Sequence, residues 1–273
     1  MPSPTEITVS QLARLVGTPE APVLIDLRIE ADFAADPRLI PGAARHDFTT
    51  VEALVPKLAG RRVVVYCQKG RKISHGAAAL MRAQGIACEV LEGGQIAWRD
   101  AGAPMIEASA LPPPDAEGRS LWVTRHRPKI DRIACPWLLR RFVDPRARFL
   151  FVPPEDVALV AEKFGATPFD VEGLGLTHVG ALCSFDAVLA AFGLRDAALN
   201  RVATIVRGAD TNRHDLAPEA AGLLALSLGL SRMFRDDLAQ LDAGMILYDA
   251  LFRWARDATG EGHDWPAALA GSS

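Results

Sequence analysis

Short, largely apolar runs punctuate the first hundred positions: VLIDL at 23–27, VVVY at 63–66 and CEVL at 88–91. Runs of this length, rich in β-branched residues, suit strands buried on both faces. The third is stopped by Gly93 and Gly94. Between the second and third, 75–84 is rich in Ala, Leu and Met, with Gly85 placed as a helix stop. Strand, helix, strand in this order predicts parallel pairing with a right-handed crossover. The second half has another texture. Leu238, Leu241, Met245, Tyr248 and Phe252 recur at spacings of three and four within 236–257, which predicts an amphipathic helix. Asp236 and Asp237 open it, and Arg253 and Arg256 stand near its end, matching the helix dipole. Further helices are expected over 217–230, with Pro218 in the first turn, and from 135 to 143, with a strand at 149–152.

The fold class is therefore α/β: a small parallel-sheet domain followed by a mainly helical α+β domain. The joint lies in EASALPPPDAEGRS, where Pro112, Pro113 and Pro114 are consecutive. Such a stretch buries little apolar surface and acts as a semi-rigid spacer. Domains are expected over 1–108 and 121–273 with a linker over 109–120, and few contacts should cross it.

Composition narrows the picture. Among 273 residues, 49% are hydrophobic and 23% charged, and the net charge is −3. This is ordinary for a soluble globular protein and gives no reason to expect nucleic acid as a partner. No apolar run approaches a membrane span, and the N-terminus lacks a signal-peptide pattern. A cytoplasmic protein without a membrane partner is expected.

The four cysteines are Cys67, Cys88, Cys135 and Cys183, and no two form a C-x-x-C pair. Cys67 stands where the second strand meets Gln68-Lys69-Gly70-Arg71-Lys72-Ile73-Ser74 and a helix. Ligands bind at this edge of a parallel sheet. A loop curling into a helix points backbone N–H groups inward, and such a nest favours an anion. Gly70 permits the curl, while Lys69, Arg71 and Lys72 add positive charge. Both effects favour thiolate at Cys67, and the same cup would hold a tetrahedral oxyanion. Cys88 opens a buried-looking strand and is expected in the core. His75 is expected on exposed helix surface.

Several of these features resemble the rhodanese family: Asp26 and Arg28 in VLIDLR, the stretch Ile40-Pro41-Gly42-Ala43, the loop CQKGRKIS followed by SHGAAALMRAQG, and the tail LEGGQIAW. The resemblance covers about residues 6 to 106. It implies a sulfurtransferase in which Cys67 attacks the outer sulfur of a donor such as thiosulfate and passes the persulfide sulfur to a thiophilic acceptor. By position, the backbone of residues 68–72 cradles the anion and Lys69 and Arg71 orient the donor. Ile73 closes the loop, and Asp26 and Arg28 support it from nearby. No cofactor is required, because a thiolate is already nucleophilic.

In the second half, arginines from Arg119 to Arg148, with Lys129, face only Asp131 and Asp144. A local basic field suits an oxyanion, and a face paired with acids elsewhere explains it equally. Glu172, His178, Cys183 and Asp186 fall in one stretch, and Asp210, His214 and Asp215 in another. These are ordinary metal-ligand types without a motif spacing. His178, Glu172 and Asp210 are the candidates for a metal ion. WVTRHRPKIDRIACPWLLRRFVDP, HVGALCSFD, RGAD and the helices from PEAAGLL to FRWARD resemble the C-terminal domain of the chromate-resistance (ChrB-type) family over about 121 to 258. That resemblance implies a link to chromate, a tetrahedral dianion of sulfate shape. Two functions follow: a sulfurtransferase fused to an oxyanion-responsive domain, or a chromate-responsive regulator that uses its first domain as a redox or sulfur input.

Overall fold

The computed structural model describes residues 5–262. The first half contains strands β1 (Glu6–Ile7), β2 (Val23–Asp26), β3 (Arg38–Leu39), β4 (Ala43–Arg45), β5 (Arg62–Tyr66), β6 (Ala87–Leu91) and β7 (Ile106–Glu107). Its helices are α1 (Val9–Leu15), α2 (Glu30–Ala35), α3 (Val55–Leu58), α4 (Lys72–Ala83) and α5 (Gly94–Asp100). Five strands form one sheet in the order β1-β6-β5-β2-β4, with every pairing parallel. The three apolar runs are its centre. Alternation along β5 sends Val63 and Val65 to one face and Val64 and Tyr66 to the other, and all four are buried. The first face packs under α4 through Ala77, Ala78 and Met81. The second face meets Leu12 of α1 and Trp98 of α5.

The second half contains β8 (Leu121–Arg125), β9 (Arg148–Val152) and β10 (Thr167–Pro168). These form a three-stranded parallel sheet with β8 central. Around it lie α6 (Asp131–Leu138), α7 (Val157–Phe164), α8 (Ser184–Ala191), α9 (Ala197–Asp210), α10 (Glu219–Met233) and α11 (Asp237–Asp257). Helix α11 follows the expected stripe: Leu241, Met245, Tyr248 and Phe252 are buried, whereas Leu238 lies outside it and is exposed. Trp137 of α6 sits among Phe142, Phe185, Tyr248 and Phe252, with centroids 5.6–6.4 Å away.

The proline-rich segment does not behave as a spacer. Strand β7 pairs antiparallel with β3, and the Glu107 amide donates to the Phe192 carbonyl. Leu111 packs on the core that runs through both halves. Gly17, at φ +80°, lies so close to Phe142 that a Cβ would stand 2.2 Å from its ring. The Gly42 amide donates to the Phe142 carbonyl at 2.8 Å. The second face of the first sheet is thus continuous with the core of the second half, contrary to the expectation of few crossing contacts.

Candidate functional site

Strand β5 ends at Tyr66 and delivers Cys67 to the carboxyl edge of the sheet, and α4 begins five residues later at Lys72. The intervening loop is fastened by the start of α5. The Gln95 amide donates to the Cys67 carbonyl and the Ile96 amide to the Gln68 carbonyl, each at 3.0 Å. Gly70 and Gly94 allow this approach, both with φ near +60°. With its carbonyls held outside, the loop turns amides inward. Burial pushes the Cys67 thiol up, but the Ser74 hydroxyl and the amides of Arg71, Ser74 and Lys69 outweigh it, and the net shift is downward. The Ser74 hydroxyl is buried and has no other partner, so it is available to the sulfur. Lys69, Arg71 and Lys72 are exposed around the loop and form no ion pair among the described residues.

Asp26 and Arg28 lie beneath this region as a fully buried pair, 2.6 Å apart. The remaining Arg28 donors reach the carbonyls of Asp36 and Arg38, each at 2.7 Å. Asp36, held at about 2 chiefly by Arg38 against the cost of burial, accepts from the Gln95 side chain at 2.8 Å. The pair therefore anchors a chain of bonds ending at the residue that grips the Cys67 carbonyl. Cys88 is buried in the core under α4, where burial pushes its thiol up to about 12. Burial likewise raises Cys135 and Cys183. Of the four thiols, only Cys67 is shifted toward thiolate.

A second polar centre lies in the other half. His178 Nε2 stands 3.1 Å from Asp210, 3.6 Å from Asp131 and 3.7 Å from Asp170. Asp131 opens α6 and is fully buried. Its Oδ2 accepts from the Ser184 and Phe185 amides, while its Oδ1 has no partner. Asp170 accepts at Oδ1 from the Ser184 hydroxyl and pairs through Oδ2 with Arg125 and Arg132. Burial, then the Asp210 and Asp170 carboxylates, push Asp131 well above the usual carboxylate range. Burial and Asp170 also raise Asp210, with His178 opposing. The backbone at the cluster is conformationally costly: Ile130, just before Asp131, has φ 32°, and Asp170 has φ 51°.

Residues 8–101 match the family model for the rhodanese-like domain, and residues 122–255 match that for the C-terminal domain of ChrB. The chain joins a rhodanese-like domain to a ChrB C-terminal domain. A curated relative, protein ChrB of Cupriavidus metallidurans, is 35% identical over 172 residues. That match covers 58% of this chain and 51% of the relative, so the chain spans about half of the relative's length. Two solved structures are similar to the rhodanese-like domain. A protein of unknown function from Rhodopseudomonas palustris, described as a possible tyrosine phosphatase, is 26% identical. It covers 37% of this chain and 83% of its own length, with a TM-score of 0.32. A thiosulfate sulfurtransferase from Pseudomonas aeruginosa is 28% identical, covering 40% of this chain and 21% of its own, with a TM-score of 0.33.

Within the rhodanese-like domain, Cys67, Gln68, Lys69, Gly70, Arg71 and Lys72 form one loop, while half-buried Ile73 packs into the core beneath it. Ser74 stood at the end of the loop in the sequence but carried no role there. A hydroxyl four residues beyond the glycine is a weak signal until the helix start brings it within reach of the sulfur. His75 is exposed and pairs with Glu6 at 3.2 Å.

In the ChrB domain, the candidate trio is corrected. His178 and Asp210 come together, but Glu172 is exposed and takes no part; Asp131 and Asp170 occupy the cluster instead. Glu172 follows Asp170 by two residues, beyond the turn that aims Asp170 inward. The basic segment is also largely engaged. Arg127 spends its guanidinium donors on the carbonyls of Ser231 and Phe234, and Arg125 and Arg132 are paired with Asp170. No helix among the described residues is long and apolar enough to cross a membrane.

Proposed function

We propose that the rhodanese-like domain is a sulfurtransferase working through a Cys67 persulfide. The carrying observation is a buried thiol whose pKa is nonetheless lowered by converging amides and the Ser74 hydroxyl. The Cys67 thiolate attacks the outer sulfur of a donor such as thiosulfate. A Cys67–sulfur bond forms, the donor's sulfur–sulfur bond breaks and sulfite departs with the electron pair. The amides that faced the thiolate then face the persulfide, which is also an anion at neutral pH. A thiophilic acceptor such as cyanide attacks the terminal sulfur, thiocyanate leaves and the thiolate returns. No acid, base or cofactor is needed in either half-reaction. Lys69, Arg71 and Lys72 draw the dianionic donor to the loop. The pairing with a ChrB C-terminal domain fits an association with chromate resistance, and we place the sulfur chemistry in that setting.

The test is thiosulfate:cyanide turnover by the full chain. Cys67→Ser should abolish it and Cys88→Ser should retain most of it. Mass spectrometry of the thiosulfate-treated chain should find one added sulfur on the peptide carrying Cys67. Turnover that survives in Cys67→Ser overturns the assignment.

A further inference from the structure

Asp131, Asp170, His178 and Asp210 come from three separate places: the start of α6, the connection from β10 to α8, which carries both Asp170 and His178, and the end of α9. Three carboxylates converge on one imidazole nitrogen, at 3.1, 3.6 and 3.7 Å. Donors bound to one ion at about 2.0–2.2 Å stand about 3 Å apart at right angles and about 3.4 Å apart at tetrahedral angles. The separations from His178 Nε2, 3.1 to 3.7 Å, lie at or a little above those values, and the ligand atoms of Asp131, Asp170 and His178 all lie within 4.8 Å of one another.

Two features say that the side chains alone do not complete this site. Asp131 is fully buried, yet its Oδ1 has no hydrogen-bond partner. An orphaned carboxylate oxygen at such depth costs free energy unless something opposes it. The surrounding scaffold is also set to aim these groups. Ile130 and Asp170 hold left-handed backbone conformations on either side of the cluster. Ser184 fixes Asp131 through its amide and Asp170 through its hydroxyl, while Arg125 and Arg132 hold the outer oxygen of Asp170. Ligating carboxylates are oriented by outer partners in this way.

We propose that this cluster is a binding site for one divalent first-row transition-metal ion, held by carboxylate oxygens of Asp131 and Asp170 and Nε2 of His178, whose ligand atoms lie within 4.8 Å of one another, with Asp210 beside His178. Two carboxylates and one imidazole suit Mn2+, Fe2+ or Zn2+, and the absence of thiolate in the set disfavours Cu+. His178 is 41% exposed at its side chain, so the ion reaches solvent on that side and keeps a position for water or an incoming ligand. The proposal is independent of the chemistry at Cys67.

The test uses the full chain stripped of metal with a chelator, then titrated separately with MnCl2 and ZnCl2. One ion should bind per chain, read by elemental analysis after gel filtration and, for Mn2+, by loss of the free-ion electron paramagnetic resonance signal. Thermal unfolding should shift upward with each addition. His178→Ala, at an exposed position, should fold and weaken binding by more than about tenfold. Asp131→Asn should erase the metal-dependent shift. If neither ion binds stoichiometrically, or if both His178→Ala and Asp170→Asn bind as tightly as the parent, the proposal is overturned. Should Asp131→Asn fail to fold, the His178→Ala titration decides.

Discussion

Gly70 and Gly94 face one another so closely that neither can carry a side chain. A Cβ on Gly70 would stand 2.7 Å from the Gly94 nitrogen, and one on Gly94 would stand 2.4 Å from the Gly70 nitrogen. Both residues are also left-handed. The cysteine loop is therefore shaped by a second turn far along the chain. Gly94→Ala should distort the loop as well as destabilise the fold, by about 1–3 kcal/mol for the backbone strain alone. The expected outcome is a lower melting temperature together with slower alkylation of Cys67 at neutral pH.

The thiols should separate by pH. Cys67 has a folded pKa below the ordinary 9.0, and Cys88 stands at about 12. Iodoacetamide should modify Cys67 with a midpoint below 9.0 and leave Cys88 unmodified until the chain unfolds. The stability signs are opposite. The Cys67 contribution is complete above the unfolded value and is lost as pH falls through its folded pKa. At Cys88 only the unfolded chain ionises between 9.0 and about 12, so stability declines as pH rises through that window. Site-resolved alkylation by mass spectrometry across pH checks the order.

Removing one member of the Asp26–Arg28 pair strands the other. Asp26→Asn should cost about 3–5 kcal/mol, because the Arg28 charge stays fully buried with its main partner gone. Chemical denaturation measures the loss. A cost under 1 kcal/mol, in the range of an exposed ion pair, would contradict this account.

Replacing Lys69 or Arg71 by Ala should raise the thiosulfate KM a few-fold with little change in kcat. Exposed charges contribute about 0.2–1 kcal/mol each, and these two act before the chemical step. Steady-state kinetics at low and high salt should show the difference shrinking as salt screens the charges.

Much of this was legible in the sequence, and the rest fails for identifiable reasons. The apolar runs at 23–27, 63–66 and 88–91 mark the buried centre of the sheet because such strands have no polar face. The edge pieces β1, β3 and β7 span two residues each, too short for alternation to register. The cysteine loop was readable because its parts are contiguous. The aspartate–histidine cluster was legible only in part: His178 and Asp210 stood out, but Asp131 and Asp170 did not, since the members lie between 131 and 210 and meet only through packing. The latter two read as single acids among apolar neighbours, Asp170 alone in PFDVEG and Asp131 within KIDRIACPW. Glu172, more conspicuous beside its glycine, lies on the outside of that turn.

Phe142 ties the halves together, and its loss should be felt in both. Phe142→Ala should cost about 3–5 kcal/mol and lower a single unfolding transition followed at both ends of the chain. Two separate transitions, with only the later half shifted, would show that the shared core does not couple them.

The contact between Gly17 and Phe142 also bears on how such a chain can be rebuilt. A rhodanese-like domain from elsewhere, transplanted in front of these ChrB helices, would bring its own residue to position 17, and any Cβ there would strike the Phe142 ring. It would also have to offer an amide to the Phe142 carbonyl, as Gly42 does. Chimeras should therefore succeed only when the donor carries a matching seat. The rhodanese-like domain of this protein is fitted to its neighbour and is not freely interchangeable.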